Sequence, residues 1–353
     1  MKELQAFVES PRFRELETIP ISLNRVQSYL HNPHALPNDV VLYMGFLNEK
    51  LAAFRTLFAD VVCQASQNIR FGWCSGTWVH PDYRRKGFSV QLLREAYSDW
   101  DRKLMLTNYA PDAEKLCIKT GWFKPVHTFE GARAYLFPKL QKLNTVSQNN
   151  LFKKVFYSIL DFDIELFSTF MLLFFREPKP GKIRFEVSEE PDSTCYHFLE
   201  KKHPNHLFHR YEKELNWVFS FPWISCSKNE LSEKYPFSWF SPDFQYQTVK
   251  FFAGDKLEGF CIFSVRKKHL KTLYFAGADS LFPELAGFLK SYSKKHKIEV
   301  LTVYKKELAA QFFHRKFPFL RVKKYGQKIY STFELPESGK LAFQDGDGDV
   351  IFT

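Results

Sequence analysis

The stretch Val79-His80-Pro81-Asp82-Tyr83-Arg84-Arg85-Lys86-Gly87-Phe88-Ser89 decides how this chain is interpreted. It follows an apolar run and precedes a segment whose apolar residues recur at helical spacing. The first turn of such a helix has unpaired N–H groups and the positive end of the dipole. Gly87 lets an anion approach the backbone, and the basic side chains around it add charge. We therefore predict a pyrophosphate-binding turn here.

The flanking sequence predicts alternating strands and helices. The helix after the turn carries Leu92, Leu93, Ala96, Tyr97 and Trp100 on one predicted buried face. Strands are predicted at Val40 to Phe46, Leu51 to Phe58, Phe71 to Val79, Leu104 to Thr107 and Ala134 to Phe137, and a further helix at Asp112 to Thr120. Antiparallel strands followed by strands interleaved with helices indicate a mixed α+β fold.

The turn resembles motif A of the GCN5-related N-acetyltransferase (GNAT) family, Arg/Gln-x-x-Gly-x-Gly/Ala. Arg84 takes the first position and Gly87 the fourth, while Ser89 stands where the family has glycine or alanine. A second family motif, an asparagine followed by a helix and a Gly-aromatic pair, is matched by Asn108 and Gly121-Trp122. The resemblance covers roughly residues 40 to 138, about the length of one domain.

The resemblance implies transfer of an acyl group, with acetyl as the first expectation, from acyl-CoA to a primary amine by direct attack. The strand near Trp78 and Val79 would pair with the pantetheine arm, and a backbone N–H there would polarise the thioester carbonyl. Acetyl-CoA or another acyl-CoA would be the co-substrate, with no metal. The implied cofactor-binding residues are Trp78, Val79, Arg84, Arg85, Lys86, Gly87, Phe88, Ser89 and Asn108.

The expected proton-transfer groups depart from the family pattern. Cys117 stands where many relatives have a tyrosine that protonates the leaving thiolate, although a buried structural cysteine is the other interpretation. Phe71 to Val79 contains no carboxylate to serve as general base. His80 and Tyr109 are further candidate catalytic residues.

The order of elements after residue 183 repeats that of the first half, which predicts two GNAT-like domains, each a mixed, mainly antiparallel sheet flanked by helices. We expect an acyl-CoA-binding domain at residues 1–143, a helical connector at 144–182, a second domain at 183–335 and a tail at 336–353. The second half has no Arg-x-x-Gly-x-Gly after any predicted strand. We therefore expect it to shape the acceptor site without binding coenzyme A.

Residues 151–175 of the connector form a long apolar run. Asp161, Asp163 and Glu165 lie in its middle and argue against a membrane-spanning helix. The sequence leaves two interpretations: a helix packed between domains, which we favour, and an amphipathic helix that contacts a membrane surface.

The net charge of +11 is concentrated between Arg266 and Lys328, where 16 Lys or Arg face 4 acids. Such a surface attracts anions, so the predicted acceptor is a small amine, anionic or nucleotide-linked. An RNA-binding acetyltransferase is an alternative, although we do not expect a nucleic-acid partner. Two further alternatives are a catalytically degenerate acyl-CoA sensor or scaffold and a long-chain N-acyltransferase at a membrane surface.

Six cysteines without a Cys-x-x-Cys pair indicate a reducing compartment, and the N-terminus has no signal-peptide pattern, so we expect a cytoplasmic protein. His203, His206 and His209 recur at every third residue but lack further ligands at metal-binding spacing. Residues 345–349 alternate Asp and Gly like a calcium loop, but the chain ends before a bidentate glutamate. We interpret them as a flexible acidic tail and expect no metal.

Overall fold

The computed structural model describes residues 2–63, 68–108, 111–139, 151–176, 181–202, 206–208, 210–335 and 342–353. The chain forms two compact units, each discontinuous in sequence. The first unit comprises residues 1–128, 199–244 and 327–353, and the second comprises residues 129–198 and 245–326. The predicted domain ranges 1–143, 144–182, 183–335 and 336–353 stay a prediction.

The first unit is built on a mixed sheet whose strand order is β1-β2-β3-β4-β11. Its strands are β1 (Leu42–Leu47), β2 (Lys50–Val62), β3 (Ile69–Val79), β4 (Leu104–Thr107), the start of β5 (Lys124–Tyr135) and the end of β11 (Arg321–Ser331). Its helices are α1 (Lys2–Glu9), α2 (Pro11–Glu15), α3 (Leu23–Leu30), α4 (Phe88–Asp99), α5 (Pro111–Thr120), the end of α7 (Ser193–Lys202), α8 (Glu212–Ser220) and α9 (Glu230–Glu233).

Strands β1, β2 and β3 pair antiparallel, whereas β3 and β4 run parallel because α4 connects them. β11 pairs antiparallel with β4, with Tyr330 opposite Leu106. The helix after the turn buries Leu92, Leu93, Ala96 and Trp100 as its spacing predicts, while Tyr97 is half-buried. The mixed α+β architecture is confirmed, and the first four strands predicted in this half lie within a few residues of their predicted bounds. The strand predicted at Ala134 to Phe137 shares only residues 134 and 135 with β5, which begins at Lys124.

Aromatic rings fill the core of the first unit. Phe58, Trp73 and Trp223 are almost completely buried, and the ring of Phe352 stacks on Trp223 with centroids 4.6 Å apart. The predicted flexible acidic tail is therefore wrong for residues 342–353. Val350 and Ile351 are buried beside Phe352, and the side chains of Asp345, Asp347 and Asp349 are buried as well.

The second unit has the strand order β5-β10-β9-β8-β7-β6. Besides the end of β5 and the start of β11, its strands are β6 (Ile183–Ser188), β7 (Gln245–Ala253), β8 (Lys256–Arg266), β9 (His269–Gly277) and β10 (Val300–Val303). Its helices are α6 (Leu151–Leu173), the start of α7, α10 (Phe282–Lys295) and α11 (Lys306–His314). β9 and β10 run parallel on either side of α10, which repeats the β3–α4–β4 arrangement of the first unit.

Helix α6 has one covered and one exposed face among its described side chains, residues 156–173. Leu172 and Phe175 belong to the core of the second unit, whereas Phe162 and Leu173 are 67% and 77% exposed. The favoured prediction of a helix packed between domains stays a prediction, and the described side chains show one buried and one exposed face. Within the described residues, no helix is long and apolar enough to cross a membrane.

An ion pair between Asp60 of β2 and Arg210 lies inside the first unit. The side chains are 0% and 4% exposed, and their closest oxygen and nitrogen are 2.6 Å apart. The pairing joins β2 to the segment 199–244 of the second half of the sequence. Burial and the Asp60 carboxylate act on Arg210 in opposite directions, and the net pKa of its guanidinium is raised.

We expect Arg210→Ala to lower the free energy of unfolding by about 3–5 kcal/mol, because it leaves the Asp60 carboxylate buried without its counter-charge. Urea denaturation followed by circular dichroism measures this change. The matched control is Lys256→Ala, which removes the exposed partner of Glu258 and should cost less than about 1 kcal/mol. If both substitutions lowered the free energy of unfolding by the same amount, the stabilising role of the buried Asp60–Arg210 pair would be contradicted.

Candidate functional site

The parallel strands β3 and β4 of the first unit pair over only three residues. Gly72, Trp73 and Cys74 lie opposite Leu104, Met105 and Leu106, and no further pair of these two strands follows in the described chain. β3 continues for five more residues to Val79, and beyond Leu106 the chain pairs with β11. The two strands therefore diverge, and the edge of β3 from Ser75 to Val79 is left open on the β4 side, except that the carbonyl of Ser75 accepts a hydrogen bond from Nη1 of Arg25 at 3.2 Å.

A β-bulge at Ser75 marks the point of divergence, because Thr56 lies opposite Gly76 whereas Leu57 lies opposite Cys74. The Ser75 hydroxyl lies 2.6 Å from the Tyr29 hydroxyl and 3.2 Å from that of Thr56. A Cβ on Gly76 would approach the Thr56 hydroxyl to 2.8 Å, so this position requires glycine or a shift of Thr56. Packing and hydrogen bonds therefore hold the bulge in place.

The open edge presents backbone groups of alternate residues. The N–H of His80 donates to Ala52 of β2, so the groups of Trp78 also point towards β2. By the same alternation, the N–H and C=O groups of Thr77 and Val79 point towards the open side. Thr77 was not among the predicted residues, since only the pairing register reveals which backbone groups face outward.

The predicted pyrophosphate turn has the backbone of an anion-binding loop. Arg85 and Gly87 both have positive φ, 65° and 88°, and Gly87 is the N-cap of α4. Such alternation of backbone conformation directs successive N–H groups inwards, which forms a concavity for an anion. The basic side chains of Arg84 and Lys86 are exposed beside the turn. A Cβ on Gly87 would meet no atom within 4 Å, so the space above the turn is open.

The corresponding turn of the second unit lacks these features. α10 begins with Phe282 and Pro283, and proline has no N–H to offer an anion. Glu284 adds a negative charge in the first turn, where the helix dipole would otherwise attract a phosphate. That the second half does not bind coenzyme A stays a prediction.

Asn108 lies just beyond β4 and holds β11. Its Oδ1 accepts from the N–H of Lys328 at 2.6 Å, and its Nδ2 donates to Glu114 at 3.3 Å. Glu114 also accepts a hydrogen bond from the Tyr330 hydroxyl. This hydrogen bond, with further polar contacts, lowers the pKa of the Glu114 carboxyl. In this structure Asn108 thus holds β11 next to the end of β4, and its contact with a cofactor stays a prediction.

Arg55 is a buried charge that sequence reasoning missed. It lies on β2 opposite Thr77, its side chain is 2% exposed, and its Nε has no hydrogen-bond partner. Among the described residues, no carboxylate lies within 4 Å of its guanidinium. Burial raises the pKa of the Cys74 thiol, and the charge of Arg55 and a hydrogen bond from it oppose that shift. Arg55 therefore lies next to Cys74, where β3 and β4 diverge.

The predicted catalytic residues lie at different places. Cys117 of α5 is buried, and burial raises the pKa of its thiol to about 12, an effect that the charge of Arg55 opposes. His80 caps the short helix at Pro81–Tyr83, where its Nδ1 accepts from the N–H of Asp82 at 3.3 Å. Tyr109 lies outside the described residues. The catalytic roles of all three stay predictions.

An aromatic wall lies on the sheet face opposite Arg55. Trp78 and Phe237 are half-buried, and both contact the ring of Phe54 with centroids 5.5 and 6.0 Å away. Phe237 comes from the second half of the sequence, and a Cβ on Gly76 would lie 3.7 Å from its ring. The segment 199–244 thus reaches the bulge of β3 within the first unit.

A cleft of about 640 Å³ lies at the opposite end of β3, lined by Asp39, Arg70, Trp100 and Lys103 among others. Arg70 already pairs with Asp39 there and contacts the ring of Trp100. This cleft is therefore separate from the open edge and from the turn. In the described part of the chain, no three His, Cys, Asp or Glu side chains are grouped to hold a metal ion; His203 and His209 lie outside that part.

No protein-family model matches the chain, and no curated protein matches it. Among solved structures, 155 chains match. One is the crystal structure of a GCN5-related N-acetyltransferase from Anabaena variabilis, with a TM-score of 0.50 and 9% sequence identity. The alignment covers 93% of this chain and 70% of the other. At this identity the likeness is one of fold, so the chain has a GNAT-like fold.

We expect iodoacetamide at pH 8 to label the exposed Cys226 and to leave Cys117 unmodified until the protein is unfolded. With a thiol pKa of about 12, about one Cys117 side chain in ten thousand carries the reactive thiolate at that pH. Peptide mass spectrometry after timed labelling, with and without urea, measures both sites. Labelling of Cys117 as fast as Cys226 would show an accessible, ionisable thiol instead of a buried one.

Proposed function

We propose that the first unit binds acyl-CoA and transfers the acyl group to a primary amine. The observation that carries the proposal is the open edge of β3, Ser75 to Val79, which ends in the N–H-rich turn at Arg85 to Ser89. An extended pantetheine arm added along this edge would be hydrogen-bonded by Thr77 and Val79, like an additional strand. Its pyrophosphate would then reach the N-terminus of α4.

The chemistry we propose is direct attack. The amine nitrogen adds to the thioester carbonyl, an outward N–H of the β3 edge stabilises the oxyanion, and the C–S bond then breaks. The sulfur takes the bonding electron pair and leaves as a thiolate, while the new amide loses its extra proton to water or to the thiolate. Arg55, buried near the start of the open edge, supplies positive charge that stabilises this thiolate.

This role for Arg55 offers a substitute for the tyrosine that relatives place at the position of Cys117. A thiol with a pKa of about 12 is a poor proton donor near neutral pH. A guanidinium needs to transfer no proton in order to stabilise a thiolate. The proposal therefore does not require Cys117 as an acid.

We propose that the acceptor approaches along the aromatic wall of Trp78 and Phe237. Half-buried aromatic faces bind cationic and apolar groups, which suits an amine before it loses its proton. The net charge of +11 supports an anionic or nucleotide-linked acceptor. The second candidate function is acyl-CoA binding without turnover, which the absence of a carboxylate from β3 favours.

We expect isothermal titration calorimetry to detect acetyl-CoA binding by the parent protein and to detect none in Gly87→Glu. The new carboxylate would repel the pyrophosphate from the N-terminus of α4. Gly254→Glu is the matched control, because Gly254 also has positive φ and open space around its Cβ but belongs to the second unit. Binding by Gly87→Glu, or none by the parent, would refute the site.

We expect Arg55→Gln to bind coenzyme A about as tightly as the parent but to raise the pKa of the bound thiol by about one unit or more. Ultraviolet absorbance of the thiolate, titrated against pH, measures this pKa without an acceptor. Arg55→Lys, which keeps the charge, should lie between the two. Thiol release from acetyl-CoA with an active amine should fall about a hundredfold in Arg55→Gln.

A purely structural role for Arg55 predicts a large loss of stability in Arg55→Gln and an unchanged pKa of the bound thiol. The proposed role predicts the reverse, because removing a buried charge with no carboxylate within 4 Å among the described residues should leave the free energy of unfolding unchanged or raise it. Arg55→Gln with a large loss of stability and an unchanged bound-thiol pKa would contradict the proposed role.

A further inference from the structure

Helix α6 of the second unit presents an apolar face to solvent. We call this the α6 face; its side chains, each 53% to 77% exposed, are Phe156, Ile159, Phe162, Leu166, Phe167, Phe170, Leu173 and Phe174. Their spacing of three, four or one residues places them on one side of the helix. An exposed apolar surface of this extent marks a site of contact with another protein, a membrane or a ligand.

The opposite side of α6 fixes the helix to the second unit. Ser168 and Leu172 are buried, and Phe175 follows the helix into the core cluster. Lys294 of α10 holds the end of this segment, with its ammonium 5.6 Å from the centre of the Phe175 ring. The α6 face is therefore held outward by packing behind it.

Basic residues flank the C-terminal end of the α6 face. The ring of Phe317 lies 5.9 Å from that of Phe175, centre to centre. Directly before Phe317 come His314, Arg315 and Lys316, and all four side chains are exposed. Lys290 donates a hydrogen bond to the carbonyl of Arg315, which holds this segment against α10. Apolar and basic surface thus meet at one end of the helix.

We propose that the α6 face binds the surface of a bilayer that contains anionic lipid, with α6 lying in the plane of the interface. The apolar side chains enter the boundary between headgroups and acyl chains, and Arg315 and Lys316 contact anionic headgroups. Asp163 is exposed on the same side of the helix, and its carboxylate must remain in contact with water. Insertion is therefore shallow.

Charge favours a bilayer over a second copy of this chain as the occupant. Each copy carries a net charge of +11, and a symmetric dimer through the α6 face would bring two such copies together. An anionic bilayer neutralises the same charge. The proposal is independent of the acyl-CoA site, which belongs to the first unit.

Flotation of the full chain with vesicles tests the proposal. We expect the parent to float with phosphatidylcholine vesicles that contain phosphatidylglycerol, and much less with pure phosphatidylcholine. Phe162→Ser combined with Phe170→Ser should lower the partition coefficient at least about tenfold. The matched control combines Leu36→Ser with Val187→Ser, exposed apolar residues outside α6, and should float like the parent.

The contribution of charge needs its own variants. Arg315→Ala combined with Lys316→Ala should lower binding to the anionic vesicles about tenfold and reduce its dependence on salt. The control combines Lys201→Ala with Lys202→Ala, exposed lysines at the end of α7. As a readout that does not rely on flotation, Phe170→Trp should show a blue-shifted tryptophan emission when anionic vesicles are added.

Three results would overturn the proposal. The parent could fail to float with anionic vesicles, or the double serine variant could float as well as the parent. Light scattering could also show a parent dimer that becomes monomeric in Phe162→Ser/Phe170→Ser without any vesicle binding, which would assign the α6 face to a second copy. Thermal unfolding of each variant confirms that it is folded.

Discussion

The divergence of β3 from β4 after Cys74 is the constraint on which the candidate site depends. Two parallel strands that stayed paired to their ends would leave no backbone group for a ligand. The bulge at Ser75 prevents this by turning the rest of β3 away, and the hydroxyls of Tyr29 and Thr56 hold it there. The open edge is therefore a property of the packed chain, which keeps the ordering cost of binding low.

The turn depends on the same divergence. Because β3 runs on to Val79 paired with β2 and no longer with β4, the chain reaches Gly87 beyond the sheet, where the first turn of α4 faces solvent. The second unit repeats the parallel pair β9–β10, which also covers only three residues, but starts its helix with Phe282 and Pro283. The same backbone architecture thus exists with and without an anion-binding turn. Local sequence at the helix start makes the difference.

Local sequence patterns predicted the elements whose formation depends on residues close together in the chain. The turn, the helix after it and the strands around it follow from glycine, charge and apolar spacing over a few residues. Contacts between distant segments could not be predicted in this way. Arg210 lies 150 positions from Asp60, and Phe352 packs among rings from the first and second halves of the chain. No periodicity encodes such pairings, and the alternating aspartates before Phe352 suggested a flexible tail instead.

The most informative residue of the candidate site was missed for a related reason. Arg55 is a basic residue inside a long apolar strand, and its importance lies in its burial and in the lack of a carboxylate within 4 Å of its guanidinium among the described residues. A protein selected for stability alone has little reason to keep such a charge. The sequence of α6 likewise does not show which of its apolar residues are covered, and only the structure distinguishes the buried face from the exposed one.

Hydrogen–deuterium exchange with and without acetyl-CoA tests the central claim most directly, because it reports on the backbone groups themselves. We expect slower exchange in peptides that contain Ser75–Val79 and Arg85–Ser89, and no change at the start of α10 in the second unit. Protection only elsewhere, such as around Arg70 in the separate cleft, or no protection at all, would contradict an acyl-CoA site on the open edge of β3.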